Sequence, residues 1–115
     1  MQMTVSDHDG FTEVTVTGDV AYADVRSFMG RLDALLEARE ILDVLLDLRA
    51  VTYMTSRGLG AVVSTYTILS RRGGRLAVAC TSPEVLSSFA VTKLDKILTI
   101  VATREDAVAV LSADR

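Results

Sequence analysis

Val44-Leu-Leu-Asp-Leu-Arg-Ala-Val-Thr-Tyr-Met-Thr-Ser-Arg-Gly-Leu-Gly60 decides the fold. Its opening, Val44-Leu-Leu-Asp-Leu48, is too short for a helix and almost continuously apolar. A central strand buried on both faces has this composition. A loop follows, and then Leu59, Val62, Val63, Tyr66 and Leu69 recur at the spacing of one helix face. That helix ends at Arg71-Arg-Gly-Gly74, where cations suit the helix dipole and glycine suits a left-handed cap.

The same alternation continues downstream. Arg75-Leu-Ala-Val-Ala-Cys80 reads as a second buried strand. Thr81-Ser-Pro-Glu84 starts a helix, with Ser82 as cap, Pro83 at the first helical position, and Val85, Leu86 and Phe89 on the core face. Ile97-Leu-Thr-Ile-Val101 predicts the last strand, and Thr103-Arg-Glu-Asp106 opens a final helix with Ala107, Val108 and Leu111 inward. Upstream, Val25, Phe28, Met29, Leu32, Leu35 and Leu36 mark a helix capped by Asp24, with Gly30 in its interior. Before it, Phe11–Thr17, rich in β-branched residues, pairs with residues near 2–7 through the turn dipeptide Asp9-Gly10. Gly18-Asp19 breaks that second strand. The sum, β-β-α-β-α-β-α-β-α, is an α/β protein with right-handed crossovers and a mainly parallel sheet, made mixed by its antiparallel N-terminal hairpin.

Composition narrows the partners. The chain has 115 residues, 50% of them hydrophobic and 23% charged, which is one domain, residues 1–115, and no disordered tail. A net charge of −3 argues against a cationic footprint for nucleic acid or a membrane surface. Cys80 is the only cysteine, so no internal disulfide forms, in keeping with a reducing compartment. Met1–Phe11 has neither a basic nor an apolar region of a secretory signal, and no apolar run reaches the roughly 20 residues of a membrane span. The expectation is a cytoplasmic protein without membrane insertion.

The loop Arg49–Gly60 is the most unusual segment, and it lies at the carboxyl end of a strand, where α/β sheets meet their ligands and partners. Gly58 and Gly60 in the first turns of the helix each oppose helix formation by about 1 kcal/mol, which close approach of another backbone or an anion would explain. A hydroxyl here has two readings. Ser56 or Thr55 is the N-cap, accepting from first-turn amides. Alternatively it is a phosphoacceptor, whose added charge of roughly −1.5 to −2 the free amides and helix dipole favour, with Arg57 shielding it. Other constellations fail. Gly58-Leu-Gly60 lacks the third glycine of a dinucleotide fingerprint, and His8 is the only histidine, so neither a metal cluster nor a Ser–His–Asp relay forms. His8 beside Asp7 and Asp9 reads as solvated turn chemistry, Cys80 as an inert packed thiol, and Arg71, Arg72 and Arg75 as a solvated helix end. Nothing points to an enzyme, a cofactor or a metal.

Leu46-Asp-Leu-Arg-Ala-Val-Thr-Tyr-Met-Thr-Ser-Arg-Gly-Leu-Gly60 resembles the signature of STAS domains, in particular bacterial anti-sigma factor antagonists: a strand ending D-L-S, then V-x-[FY]-[ML]-D-S-S-G-[LI]-G. Gly18-Asp-Val resembles the family's G-E-L turn, Arg71-Arg-Gly-Gly-Arg-Leu its R-x-x-G-G-x-L stretch, and Ser82-Pro-Glu-Val its S-P-x-V helix start. These matches run in order from about residue 11 to 111. The resemblance implies a STAS-like mixed sheet with about four helices. It implies a regulatory binding protein that engages an anti-sigma factor with serine-kinase activity of the GHKL type, releases the sigma factor, and is switched off by phosphorylation, with a phosphatase as a further partner. The matching phosphorylation position is Ser56, with Thr55 second; the implied partner-binding set is Asp19, Met54, Thr55, Ser56, Arg57, Gly58 and Leu59. The departures that bear on a phosphate switch are Thr55, which stands for the family's Asp, Arg57 for its second Ser, and Ala21 for a further acidic residue. These departures leave room for two other readings: a STAS docking subunit of an ABC lipid-transport system without a phosphate cycle, and a stressosome-type scaffold.

Overall fold

The computed structural model describes residues 1–40 and 43–113. Five strands, β1 (Gln2–His8), β2 (Phe11–Thr17), β3 (Asp43–Ala50), β4 (Arg75–Ala79) and β5 (Thr99–Val101), form one sheet in sequential order. β1 and β2 are antiparallel, and β2 through β5 are parallel neighbours. Among the described residues four α-helices connect and cover them: α1 (Val25–Ala38), α2 (Ser56–Arg71), α3 (Pro83–Val91) and α4 (Arg104–Ser112). The element order and the mixed sheet agree with the sequence reading.

Register explains the two cores. Val5, Val14, Leu46, Val78 and Ile100 lie side by side across the sheet and point to one face. Against that row pack Phe28 and Leu32 of α1, Leu59, Val62 and Leu69 of α2, and Val85 and Phe89 of α3. The adjacent row points the other way, and there Leu45, Ala77 and Ala79 meet Ala107 and Leu111 of α4 in a smaller cluster. The central strand β3 is buried on both faces, so its near-continuous apolar run is what the position demands.

α2 ends in a Schellman motif. Gly74 N–H donates to Leu69 C=O at 2.8 Å and Gly73 N–H to Ser70 C=O at 3.1 Å. Gly73 sits at φ +79°, which a residue with a Cβ adopts only under strain.

Several local readings change. Asp24 occupies the N-cap position of α1 but its carboxylate does not cap that helix; it accepts from the Ala21 N–H at 3.1 Å, closing the 3₁₀ turn Tyr22–Asp24. The last strand begins at Thr99 rather than Ile97, because Lys93 turns the chain at φ +62° and Leu94–Lys96 form a 3₁₀ turn. Arg72 and Arg75 are not simply solvated. Arg72 donates to Leu36 C=O at 2.9 Å, and the Arg75 guanidinium clamps the end of α4 through the carbonyls of Val110 and Leu111, each at 3.0 Å. Met29, assigned to the core face of α1 by its spacing, is 39% exposed.

His8 is exposed, as expected of the turn, but it is not without contacts. It stacks on Phe11 and pairs with Glu13 Oε1 at 2.9 Å. Glu13 in turn accepts two hydrogen bonds from Arg104, each 2.8 Å long, which ties the start of α4 to β2. Those bonds from Arg104 hold the Glu13 carboxyl below its ordinary range, against the opposing effect of burial.

Candidate functional site

The site is built where two loops leave the sheet side by side. Beyond β2 and β3 the backbones stay paired: Gly18 N–H donates to Ala50 C=O at 3.2 Å, Val20 N–H to Tyr53 C=O at 2.9 Å, and Thr55 N–H to Val20 C=O at 3.1 Å. Thr52 Oγ1 adds a bond of 2.5 Å to Asp19 Oδ1. Underneath, the buried side chains of Val20, Val51 and Met54 seat the segment on the first core. The start of α2 is thereby held by its own loop and by its neighbour.

At that start the two hydroxyls divide their work. Thr55 is the N-cap, with extended backbone at φ −68° and ψ 163°, and its Oγ1 accepts from Gly58 N–H at 3.2 Å. Ser56 is the first helical residue and is exposed. Its hydroxyl has no hydrogen-bond partner among the described residues. The N–H groups of Ser56 and Arg57 lie at the helix positions that have no intrahelical acceptor. An exposed oxygen therefore stands at the positive end of a 16-residue helix dipole, beside the exposed Arg57.

The glycines also separate. A Cβ on Gly58 would come within 2.7 Å of Met54 Cγ and 3.3 Å of Val20 Cγ1, so this glycine lets the loop pack under the helix. What approaches it is a side chain of the same chain, in place of the expected backbone or anion. A Cβ on Gly60 would meet nothing within 4 Å.

Of the residues implied as partner-binding, Asp19, Ser56 and Arg57 are exposed and Thr55 is partly so. Met54, Gly58 and Leu59 are buried, and Met54 and Leu59 belong to the core; they support the surface and do not form it. Ala21 places no carboxylate there, and the carboxylate of Asp19 is engaged by Thr52. Tyr53, 47% exposed, and Tyr22, 82% exposed, flank the loops as apolar surface that periodicity in the sequence does not mark.

Elsewhere, Asp47 on β3 is desolvated by burial, which pushes its pKa up, but side-chain and backbone hydrogen bonds from Arg49 outweigh this and leave it lowered. Burial pushes the Cys80 thiol up, away from nucleophilic behaviour. No group of three or more His, Cys, Asp or Glu among the described residues could hold a metal ion. No helix among them is long and apolar enough to cross a membrane.

The described residues thus form a small α/β domain, a five-stranded mixed sheet with an exposed serine at the start of its second helix. The STAS domain family model matches residues 2–107, and the chain belongs to that family. It is 25% identical over 100 residues to the anti-sigma F factor antagonist of Paenibacillus polymyxa, covering 87% of this chain and 86% of that protein. With the anti-sigma-B factor antagonist of Bacillus subtilis (strain 168) it shares 27% identity over 108 residues, covering 94% and 97%. The crystal structure of an anti-sigma factor antagonist from Mycobacterium paratuberculosis superimposes with a TM-score of 0.89 at 26% identity, covering 97% of this chain and 94% of that one.

Proposed function

We propose that this protein is an anti-sigma factor antagonist that binds an anti-sigma factor with serine-kinase activity through the loops around the start of α2, and that phosphorylation of Ser56 ends the binding. The observation that carries the reading is the division of labour at the helix start. Thr55 caps the helix, so the Ser56 oxygen is exposed and has no structural duty to lose when it is modified.

The physics of the switch is local. A phosphoryl group at Ser56 adds roughly −1.5 to −2 charges and three acceptor oxygens. The free amides and the dipole at the helix start stabilise that charge in solution. A partner lying over the same surface would have to desolvate it, which is costly without a matching cation. The switch needs no rearrangement of the fold.

A docking subunit without a phosphate cycle is the competing reading, and the missing carboxylates at positions 21 and 55 favour it. One experiment separates the two. The purified chain is mixed with each anti-sigma factor kinase of its source organism, with and without ATP. Binding is measured by titration calorimetry and modification by peptide mass mapping. The expected result is one phosphate on the peptide carrying Ser56, none in Ser56→Ala, and weakened binding for Ser56→Asp. Tight binding by Ser56→Asp, or no bound anti-sigma factor at all, overturns the proposal.

A further inference from the structure

The start of α2 borders an open trough that the switch itself does not use. Two clefts, of about 580 Å³ and 450 Å³, lie along the junction of α1 and α2 and share Met29 and Arg57 as lining residues. Gly30 of α1 contributes to the first and Gly60 of α2 to the second. Both glycines are interior to helices, where each costs about 1 kcal/mol relative to alanine. Gly58 has an internal reason, since a Cβ there strikes Met54. Gly30 and Gly60 have none: a Cβ at either position meets nothing within 4 Å. The space they leave open faces outward, and no described part of this chain fills it.

The chemistry of the rim says what that body carries. Tyr22 and Met29 are exposed apolar surface at the trough, and Arg26 and Arg57 line it with guanidinium groups that have no ion-pair partner among the described residues. Two unpaired cations on one trough of a protein whose net charge is −3 favour a carboxylate-bearing visitor. Asp33, one helical turn beyond Gly30, gives the trough polarity and an orientation. The trough is also continuous with the switch, because Ser56 and Gly60 are i, i+4 neighbours on one face of α2.

We propose that the trough between α1 and α2 receives an acidic amphipathic α-helix of the anti-sigma factor, seated against Gly30 and Gly60 and held by Arg26 and Arg57. This rests on the function proposed above and adds the part of the surface that selects the partner. Small residues let a helix backbone approach closely, and helix-in-groove docking uses such a combination of an apolar seat and a charged rim. A phosphate at Ser56 then repels the acidic helix one turn away from its seat.

The test uses the full chain and the anti-sigma factor that binds it. Gly60→Leu fills the seat, and the double variant Arg26→Glu with Arg57→Glu reverses the rim at exposed positions. The expected result is binding weaker by about tenfold or more for each, the scale of a lost interface hot spot. The charge-reversed variant recovers part of the difference as salt is raised, and both variants keep the thermal midpoint of wild type to within a few degrees. The proposal fails if the wild type binds, Ser56→Asp weakens binding, and yet both trough variants bind within about twofold of wild type; the functional reading then survives alone. It also fails if the rim reversal tightens binding, or if the trough variants abolish self-association of the chain and leave anti-sigma factor binding unchanged. Should no anti-sigma factor bind the wild type, both proposals fall together.

Discussion

Gly60→Ala should stabilise this protein and Gly58→Ala, two residues earlier on the same helix, should destabilise it. Alanine is favoured over glycine inside a helix by about 1 kcal/mol. At Gly60 nothing opposes that gain, because the added Cβ has no neighbour within 4 Å. At Gly58 the Cβ would lie 2.7 Å from Met54 Cγ and 3.3 Å from Val20 Cγ1. Met54 is 4% exposed and Val20 fully buried, so neither can swing into solvent. Forcing an extra carbon into a packed site costs about 1–3 kcal/mol. Set against a propensity gain that is smaller in the first helical turn, the net loss is about 1 kcal/mol. For a chain of this size that separates the two variants by roughly 6–10 °C in melting midpoint, with wild type between them. Urea denaturation followed by far-ultraviolet circular dichroism measures it, with an unchanged m-value confirming that stability alone has moved. If Gly58→Ala equals or exceeds Gly60→Ala in stability, the packing argument for the loop beneath α2 is wrong.

Three further predictions follow from the geometry. Thr55→Ala should cost about 1 kcal/mol by removing the cap of α2, whereas Ser56→Ala should stay within about 0.5 kcal/mol of wild type in the same titrations, because its hydroxyl makes no bond among the described residues. Glu13 has a folded pKa held below its ordinary value of 4.5, chiefly by the hydrogen bonds from Arg104, so its contribution is present above that value and is lost as pH falls through the lower folded value. Acid titration of Glu13→Gln beside wild type should therefore show a stability gap near neutrality that closes as pH drops below 4.5; a gap independent of pH would rule the linkage out. Cys80 is 2% exposed, so a thiol reagent should modify it slowly in the native protein and fully in denaturant. Fast native labelling would contradict its placement at the end of β4.

Local periodicity made most of the architecture legible. Val44–Leu48 is apolar on both faces because β3 is covered on both faces, and Asp9-Gly10, Ser82-Pro83 and Gly73-Gly74 act within a few residues of themselves. Their physics is contained in the segment, so the sequence carries it openly. The misread elements are those whose outcome depends on distant parts of the chain. Met29 has the spacing of a core residue and yet lines the open clefts beside Arg57, where no other element among the described residues covers it. Ile97 and Leu98 have strand composition, but the left-handed turn at Lys93 and the hydrogen bonds back to Leu94 C=O take them out of the sheet.

The sequence by itself determined the order of elements, the inward faces of the main helices, and the neighbourhood of the site, since a period of two or 3.6 and a capping residue are properties of consecutive residues. Only the tertiary structure decided which hydroxyl is free. Thr55 and Ser56 are equivalent as capping candidates in one dimension; the bond from Thr55 N–H to Val20 C=O, made across the two loops, fixes Thr55 in the extended cap position and pushes Ser56 into the helix and outward. Likewise Glu13 and Arg104 meet across 91 residues of sequence, and Gly58 and Gly60 differ only in what the folded molecule brings to their α-carbons. Contacts between segments distant in sequence leave no local periodicity, and for that reason the chemistry of this surface became readable only once the chain was folded.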